Sequence, residues 1–123
     1  MGMASYKDLE VFKRSYEQAK LMYEYARKFP REEQYGLASQ MKRAATSISL
    51  NIAEGYGKVE GGKELMRFLS MAKGSCAELE VLLSFAKDFG YISEAEHARS
   101  ASESEEIGKM LTGLIKSVKL TIN

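Results

Sequence analysis

Residues able to carry chemistry are few and scattered along this chain. His97 and Cys76 are its one imidazole and its one thiol. A nucleophilic pair would need an exposed, activated thiolate. Cys76 instead lies mid-helix among apolar residues, where a thiol is inert packing. Glu94-Ala95-Glu96-His97 holds one Glu-x-x-His, whereas a dinuclear site in a helical bundle takes two such motifs and two further glutamates. Glu96 is better employed as the capping partner of Ser93, three residues before it. Gly55-Tyr56-Gly57-Lys58-Val59-Glu60-Gly61-Gly62 carries four glycines in eight residues, but without the order of a phosphate-binding loop. Lys63 behind it could draw an anion to a helix start; a plain flexible turn explains it as well. No catalytic residue, cofactor or metal-ligand set is expected, and the chain reads as non-enzymatic.

Two polar groupings stand out. Arg43, Ser47, Asn51 and Glu54 follow steps of four, four and three, so they share one helix face bordering an apolar stripe. Ser75 and Glu78 border the stripe of the following helix. If those helices fold back about residue 59, Arg43 should pair with Glu78, and Glu54 with Arg67 or Lys63. Such groups could fix helix register or a subunit interface, or form a ligand or nucleic-acid site. The second grouping is basic: Lys13, Arg14, Lys20, Arg27, Lys28 and Arg31 along the first helix and its exit, with Lys42-Arg43 beyond. Tyr25 and Tyr35 sit among them, and aromatic plus basic surface suits single-stranded RNA. Glu17 and Glu24 interrupt it, as they would a solvated mixed-charge face.

Four helical segments must position these groups. Ser5-Tyr6-Lys7-Asp8 fits a capping pattern in which Ser5 caps the Asp8 N–H. Leu9, Phe12, Tyr16, Ala19, Tyr23 and Ala26 then recur on one face, and Pro30 ends the segment, giving a helix over 6–29. Glu32 and Glu33 favour the next helix start. Its stripe is Leu37, Met41, Ala44, Ala45, Ile48 and Ile52, running to about Glu54 with Gly55 and Gly57 as terminators. A third helix over 63–89 carries Leu65, Phe68, Ala72, Ser75, Leu79, Leu82, Ala86 and Phe89, with Gly90 as its C-terminal cap. Ser93 opens a fourth, with Ala101, Ser104, Ile107, Leu111, Leu114 and Val118 as its stripe. Short connections make successive helices antiparallel neighbours. The expected fold is therefore all-α, an antiparallel up-down-up-down four-helix bundle over 6–119. Residues 1–5 are expected to be disordered or carried over from cloning, and 120–123 to fray.

The length suits one domain able to bury a core unaided. Eighteen Lys and Arg against seventeen Asp and Glu leave a net charge of +1, so any pull on nucleic acid must be local. A single cysteine fits a reducing cytoplasm. No signal peptide or membrane-length apolar run is seen, and Met1-Gly2 lacks the Ser or Thr at position 6 that a myristoylation motif takes. Helix 3 carries a surplus: Met66, Leu69, Met71, Val81, Leu83 and Phe85 lie outside its stripe. A helix apolar on more than one side calls for further burial, which points to self-association.

The assembled pattern resembles the four-helix-bundle proteins encoded in intervening sequences of bacterial 23S ribosomal RNA genes. The matching stretches are Tyr6-Lys7-Asp8-Leu9-Glu10-Val11-Phe12, Phe29-Pro30 with Glu33, Tyr35-Gly36-Leu37 and Gln40. Most specific is Arg43-Ala44-Ala45-Thr46-Ser47-Ile48 leading into Asn51-Ile52-Ala53-Glu54-Gly55. Glu64, Phe68-Leu69, Ala72, Gly74-Ser75, Glu78-Leu79-Glu80, Gly90-Tyr91, Lys109-Met110-Leu111 and Leu114-Ile115 continue it; Lys58 to Gly62 is the least typical part. The resemblance implies a homopentameric ring with no established enzymatic activity. A more distant likeness is to the accessory protein of diversity-generating retroelements, a pentameric bundle that binds nucleic acid and a reverse transcriptase. Together these imply RNA or a ribonucleoprotein as partner; a protein-protein scaffold without nucleic acid is the alternative. Arg43, Ser47, Asn51, Glu54 and Glu78 coincide with the family's motif.

Overall fold

The computed structural model describes residues 5–57 and 60–122. The expectations for Met1-Gly2 and for Lys58-Val59 fall outside them. Four α-helices follow in order: α1 (Glu10–Arg27), α2 (Leu37–Gly57), α3 (Gly62–Asp88) and α4 (Glu94–Thr121). Short 3-10 turns occupy Tyr6–Asp8 and Arg31–Glu33. No strand occurs among the described residues.

The first helix starts later than expected. Ser5 accepts from the Lys7 N–H at 3.0 Å rather than from Asp8, and the turn it opens is only three residues long. Leu9 then goes extended, φ −71° and ψ 133°, which lets its side chain lean on the core. α1 ends before Phe29-Pro30 because the residue preceding proline avoids the helical region. The Gln34 amide closes that end, donating to the carbonyls of Ala26 and Phe29, each at 3.0 Å. Glu33 ties the same turn to its surroundings, accepting from the Leu37 N–H at 3.2 Å and from the Tyr91 hydroxyl at 3.0 Å.

The expectation that α2 stops near Glu54 is corrected: Gly55 and Gly57 are helical. Gly55 is a contact point rather than a terminator. A Cβ there would meet Leu65 Cδ1 at 2.9 Å and Phe68 Cβ at 3.1 Å, so its bare backbone lets α2 and α3 approach. Gly90, at φ +80°, does terminate α3, and the Tyr91 N–H reaches back to the Ala86 carbonyl at 2.8 Å. Ser93 and Glu96 cap each other reciprocally at 3.0 and 2.9 Å. α4 runs on to Thr121, beyond the expected 119.

α1 packs on α2 and α4, and α3 packs on α2 and α4. The contacts run oppositely along each pair, as in Arg14 with Glu103 and Tyr25 with Arg99, so neighbours are antiparallel. Met22, Met41, Ile48, Ile52, Leu69, Leu79, Leu83, Ile107 and Leu111 are wholly enclosed. The α2 stripe is buried throughout. On α1 the core row is instead Val11, Ser15, Gln18, Met22 and Tyr25, with Ala19 and Ala26 retained. Tyr16 and Tyr23, at 52% and 48% exposure, turn outward along the α2 side. On α3, Leu69 and Leu83 are enclosed, whereas Phe89 is exposed.

A polar layer crosses the bundle at mid-height, with one inter-helix hydrogen bond in each seam. Ser15 and Ser49 hydroxyls meet at 2.8 Å between α1 and α2. Ser75 donates to Ser47 at 2.9 Å between α2 and α3. Ser104 donates to the Cys76 carbonyl at 3.2 Å between α3 and α4. The Gln18 amide donates to the Ser100 carbonyl at 3.3 Å between α4 and α1.

Candidate nucleic-acid interface

The polar line on α2 divides in two. Ser47 and Asn51 join the central layer: the Asn51 amide donates to the Ser47 carbonyl at 2.9 Å and to its hydroxyl at 3.1 Å, and Ser75 completes the set. These three side chains form one hydrogen-bonded set joining α2 to α3. Arg43 and Glu78 line one polar cleft between α2 and α3, with Tyr35, Ser39 and Gln40, but no ion pair forms between them among the described residues. Both are exposed, and water competes well for such groups. The expected reach of Arg67 to Glu54 is also corrected. Arg67 pairs with Glu64 on its own helix, where an i,i+3 spacing suffices. That carboxylate holds the Arg67 guanidinium above its ordinary value, and the guanidinium lowers the Glu64 carboxyl. Glu54, half-buried, sits at the end of the line toward Gly55.

The basic residues also separate. Helical spacing of seven places Lys13, Lys20 and Arg27 on one ridge of α1, and all three are exposed. Lys20 shares its charge with Glu17 at 3.5 Å and lies 5.8 Å from the Tyr16 ring centre. Glu10, Glu17 and Glu24 form a parallel acidic row beside the ridge. Lys28 and Arg31 are exposed at the exit. Lys42 reaches across from α2 and sits 5.3 Å over the Tyr23 ring, a cation–π contact.

Arg14 is withdrawn from this set. Its guanidinium makes two bonds to Glu103, at 2.9 and 2.7 Å, joining α1 to α4, and the carboxylate holds it above its ordinary pKa. Tyr25 is withdrawn as well: it is buried, with its hydroxyl accepting from Arg99 at 3.4 Å and Ser100 at 3.5 Å. Sequence reasoning misplaced Tyr25 because a tyrosine between basic residues looks the same whether it faces in or out. Tyr35, by contrast, is 98% exposed beside the cleft that holds Arg43.

Cys76 is buried on α3, and its backbone carbonyl accepts from the Ser104 hydroxyl. Burial first, and then the Glu80 charge, push the thiol up to about 12, the reverse of an activated nucleophile. Among the described residues no three His, Cys, Asp or Glu side chains gather as a metal site would require. No helix of the described residues is long and apolar enough to cross a membrane.

The family described as 23S rRNA-intervening sequence protein matches over residues 7–113. The fold is also similar to the crystal structure of a protein with unknown function from the S23 ribosomal protein family of Bacteroides thetaiotaomicron VPI-5482. The TM-score is 0.79 at 25% identity, over 86% of this chain and 95% of that one. No curated protein matches the sequence.

Proposed function

The chain belongs to the family of 23S rRNA-intervening sequence proteins, and from that premise we propose that it is a non-enzymatic homopentamer binding RNA or a ribonucleoprotein in the cytoplasm. The observation that carries this reading is the α1 ridge of Lys13, Lys20 and Arg27, all exposed. At 1.5 Å per residue these cations recur about every 10 Å, a spacing that can follow a phosphate backbone. One ridge on a chain of net charge +1 is weak. A ring repeating it sums the fields of several ridges at one surface. Lys28 and Lys42 extend the patch, and Tyr23 beside Lys42 offers a stacking face.

Fluorescence anisotropy with structured RNA hairpins tests the proposal. Binding should weaken steeply with salt, as phosphate contacts release counterions. Charge reversal at Lys13, Lys20 and Arg27 together should abolish it. The acidic row of Glu10, Glu17 and Glu24 favours a second reading, a protein-protein scaffold without nucleic acid. Undetectable binding at low salt with an intact oligomer would decide for the scaffold.

A further inference from the structure

The seam between α1 and α4 is the most loosely joined of the four. A groove of about 560 Å³ runs along it, within the range of small-molecule sites. Gln18 and Leu21 from α1 and Arg99 and Ser100 from α4 line it, and the Arg14–Glu103 pair stands at one end. At its floor lies an unmet polar group. Gln18 is 4% exposed, its Nε2 donates to the Ser100 carbonyl at 3.3 Å, and its Oε1 has no donor among the described residues. A flipped amide would set oxygen against that carbonyl, so the acceptor cannot be turned away. A buried acceptor without a donor is costly, and a ligand N–H relieves it. Oε1 is sheltered from water, and the loose packing of this seam lets its cover part. Arg99, exposed at the other end, is also under-used. Among the described residues it makes one hydrogen bond, 3.4 Å to the Tyr25 hydroxyl, and no ion pair. Glu96, one turn back on α4, is turned instead to the Ser93 N–H.

We propose that this groove binds a nucleotide whose base carries an amino group, either free or turned out of a single RNA strand. The inference builds on the RNA reading and names what the α1–α4 side recognises. Each part of a nucleotide meets a matching group. The amino group of the base donates to Gln18 Oε1. The ring lies against Leu21 and the guanidinium of Arg14, which two bonds to Glu103 hold in a fixed plane. Planar guanidinium groups stack on aromatic faces. Arg14 and Leu21 are seven residues apart, about 10 Å along α1, which admits one ring between them. The phosphate goes to Arg99, because the carboxylates of the groove are engaged or distant. Glu103 is held by Arg14, Glu17 by Lys20, and Glu10 lies on the far side of Arg14. The floor also sets the choice of base. Gln18 Oε1 and the neighbouring Ser100 carbonyl are both acceptors. An amino group suits them, whereas uracil would set its own carbonyl oxygens against them.

Paired ligands test it. The native protein should bind a single strand of adenines roughly three- to tenfold more tightly than an equal strand of uracils, about what one such hydrogen bond is worth. Gln18→Leu should bring the two strands to one affinity and leave uracil binding unchanged. Gln18→Met replaces it if circular dichroism shows that the leucine variant has lost its helices. For the free nucleotide, adenosine monophosphate titrated into isotope-labelled protein should shift the amide resonances of Gln18, Leu21 and Ser100, and uridine monophosphate should not. Arg99→Gln, at an exposed position, should weaken adenosine monophosphate and leave adenosine unaltered. Equal native affinity for the two strands, with no shift from adenosine monophosphate, overturns the groove and leaves the α1 ridge reading standing. An adenine preference that survives the Gln18 variants also overturns it. Undetectable RNA binding with those resonances still shifted by adenosine monophosphate supports the groove as a site for a free nucleotide and overturns the RNA reading alone. A protein that responds to neither ligand overturns both.

Discussion

Replacing Gly55 by alanine sets two known effects against each other. In the interior of α2 the change should help, because alanine is a better helix former by about 1 kcal/mol. The surroundings reverse the sign. The new methyl would lie 2.9 Å from Leu65 Cδ1 and 3.1 Å from Phe68 Cβ. The leucine methyl can rotate away, but the phenylalanine Cβ is fixed to the backbone of α3, so the helices must part. Overpacking of this kind costs about 1–3 kcal/mol, and toward the middle of that range the net loss is about 1 kcal/mol. Gly113→Ala on α4 is the control, since nothing lies within 4 Å of its added Cβ. It should gain up to about 1 kcal/mol from the same helix preference. Urea denaturation at several protein concentrations, which separates folding from assembly, reads both. At an m value of about 1–1.5 kcal/mol per molar, the Gly55→Ala midpoint should fall by roughly 1 M while that of Gly113→Ala rises. Leu65→Ala should recover part of the Gly55→Ala loss by removing one of the two obstructing groups. A Gly55→Ala protein as stable as the native one would refute close helix approach as the reason for glycine at that position.

Three further outcomes follow from the geometry. The Cys76 thiol, raised from 9.0 to about 12, binds its proton more tightly folded than unfolded. Its contribution is therefore intact below about pH 9 and declines as pH rises toward 12, at up to about 1.4 kcal/mol per pH unit. The difference in stability between native protein and Cys76→Ala, followed across that range, should show this slope, and a flat difference would contradict it. A double-mutant cycle on Arg14→Met and Glu103→Gln should return a coupling of about 0.5–1 kcal/mol that shrinks in salt, as befits a bidentate pair about one-third exposed; zero coupling would show the clamp to be idle. Ser93→Ala should lower stability by about 1 kcal/mol through loss of the reciprocal cap, with calorimetry as the measure and no change in melting temperature as the contrary result.

Legibility varied with the residues. α2 could be read almost completely because Ala44 to Ala53 contains no charge and its apolar residues keep one period; only its end was missed, since glycine as a breaker and glycine as a contact point look alike in one dimension. α1 was harder. Two rows of helical spacing run side by side there, one through Val11 and Met22, the other through Tyr16 and Tyr23. Tyrosine serves either a core or a surface, so the period did not choose between them. Of the α3 surplus, Met71, Val81 and Phe85 are exposed, whereas Leu69 and Leu83 turn into the core and Phe89, read as part of the stripe, is exposed instead. Among the polar residues, the link of Ser47 to Ser75 was within reach because short side chains follow their backbone. The Arg43–Glu78 pair was not, because long exposed side chains have many rotamers of similar energy and a shared helix face does not select one. Nothing in the local sequence announced that Arg14 would turn to Glu103, 89 positions away.

The four mid-height hydrogen bonds have a consequence for how the helices may slide. Grease alone tolerates translation, since one leucine fits another's berth nearly as well. Here a shift of any rod by a single turn would strand hydroxyls and amide groups opposite hydrocarbon at two seams simultaneously. The chain thus carries its own vernier. Connecting segments can lengthen, shorten or change composition without altering the axial alignment of the rods they join.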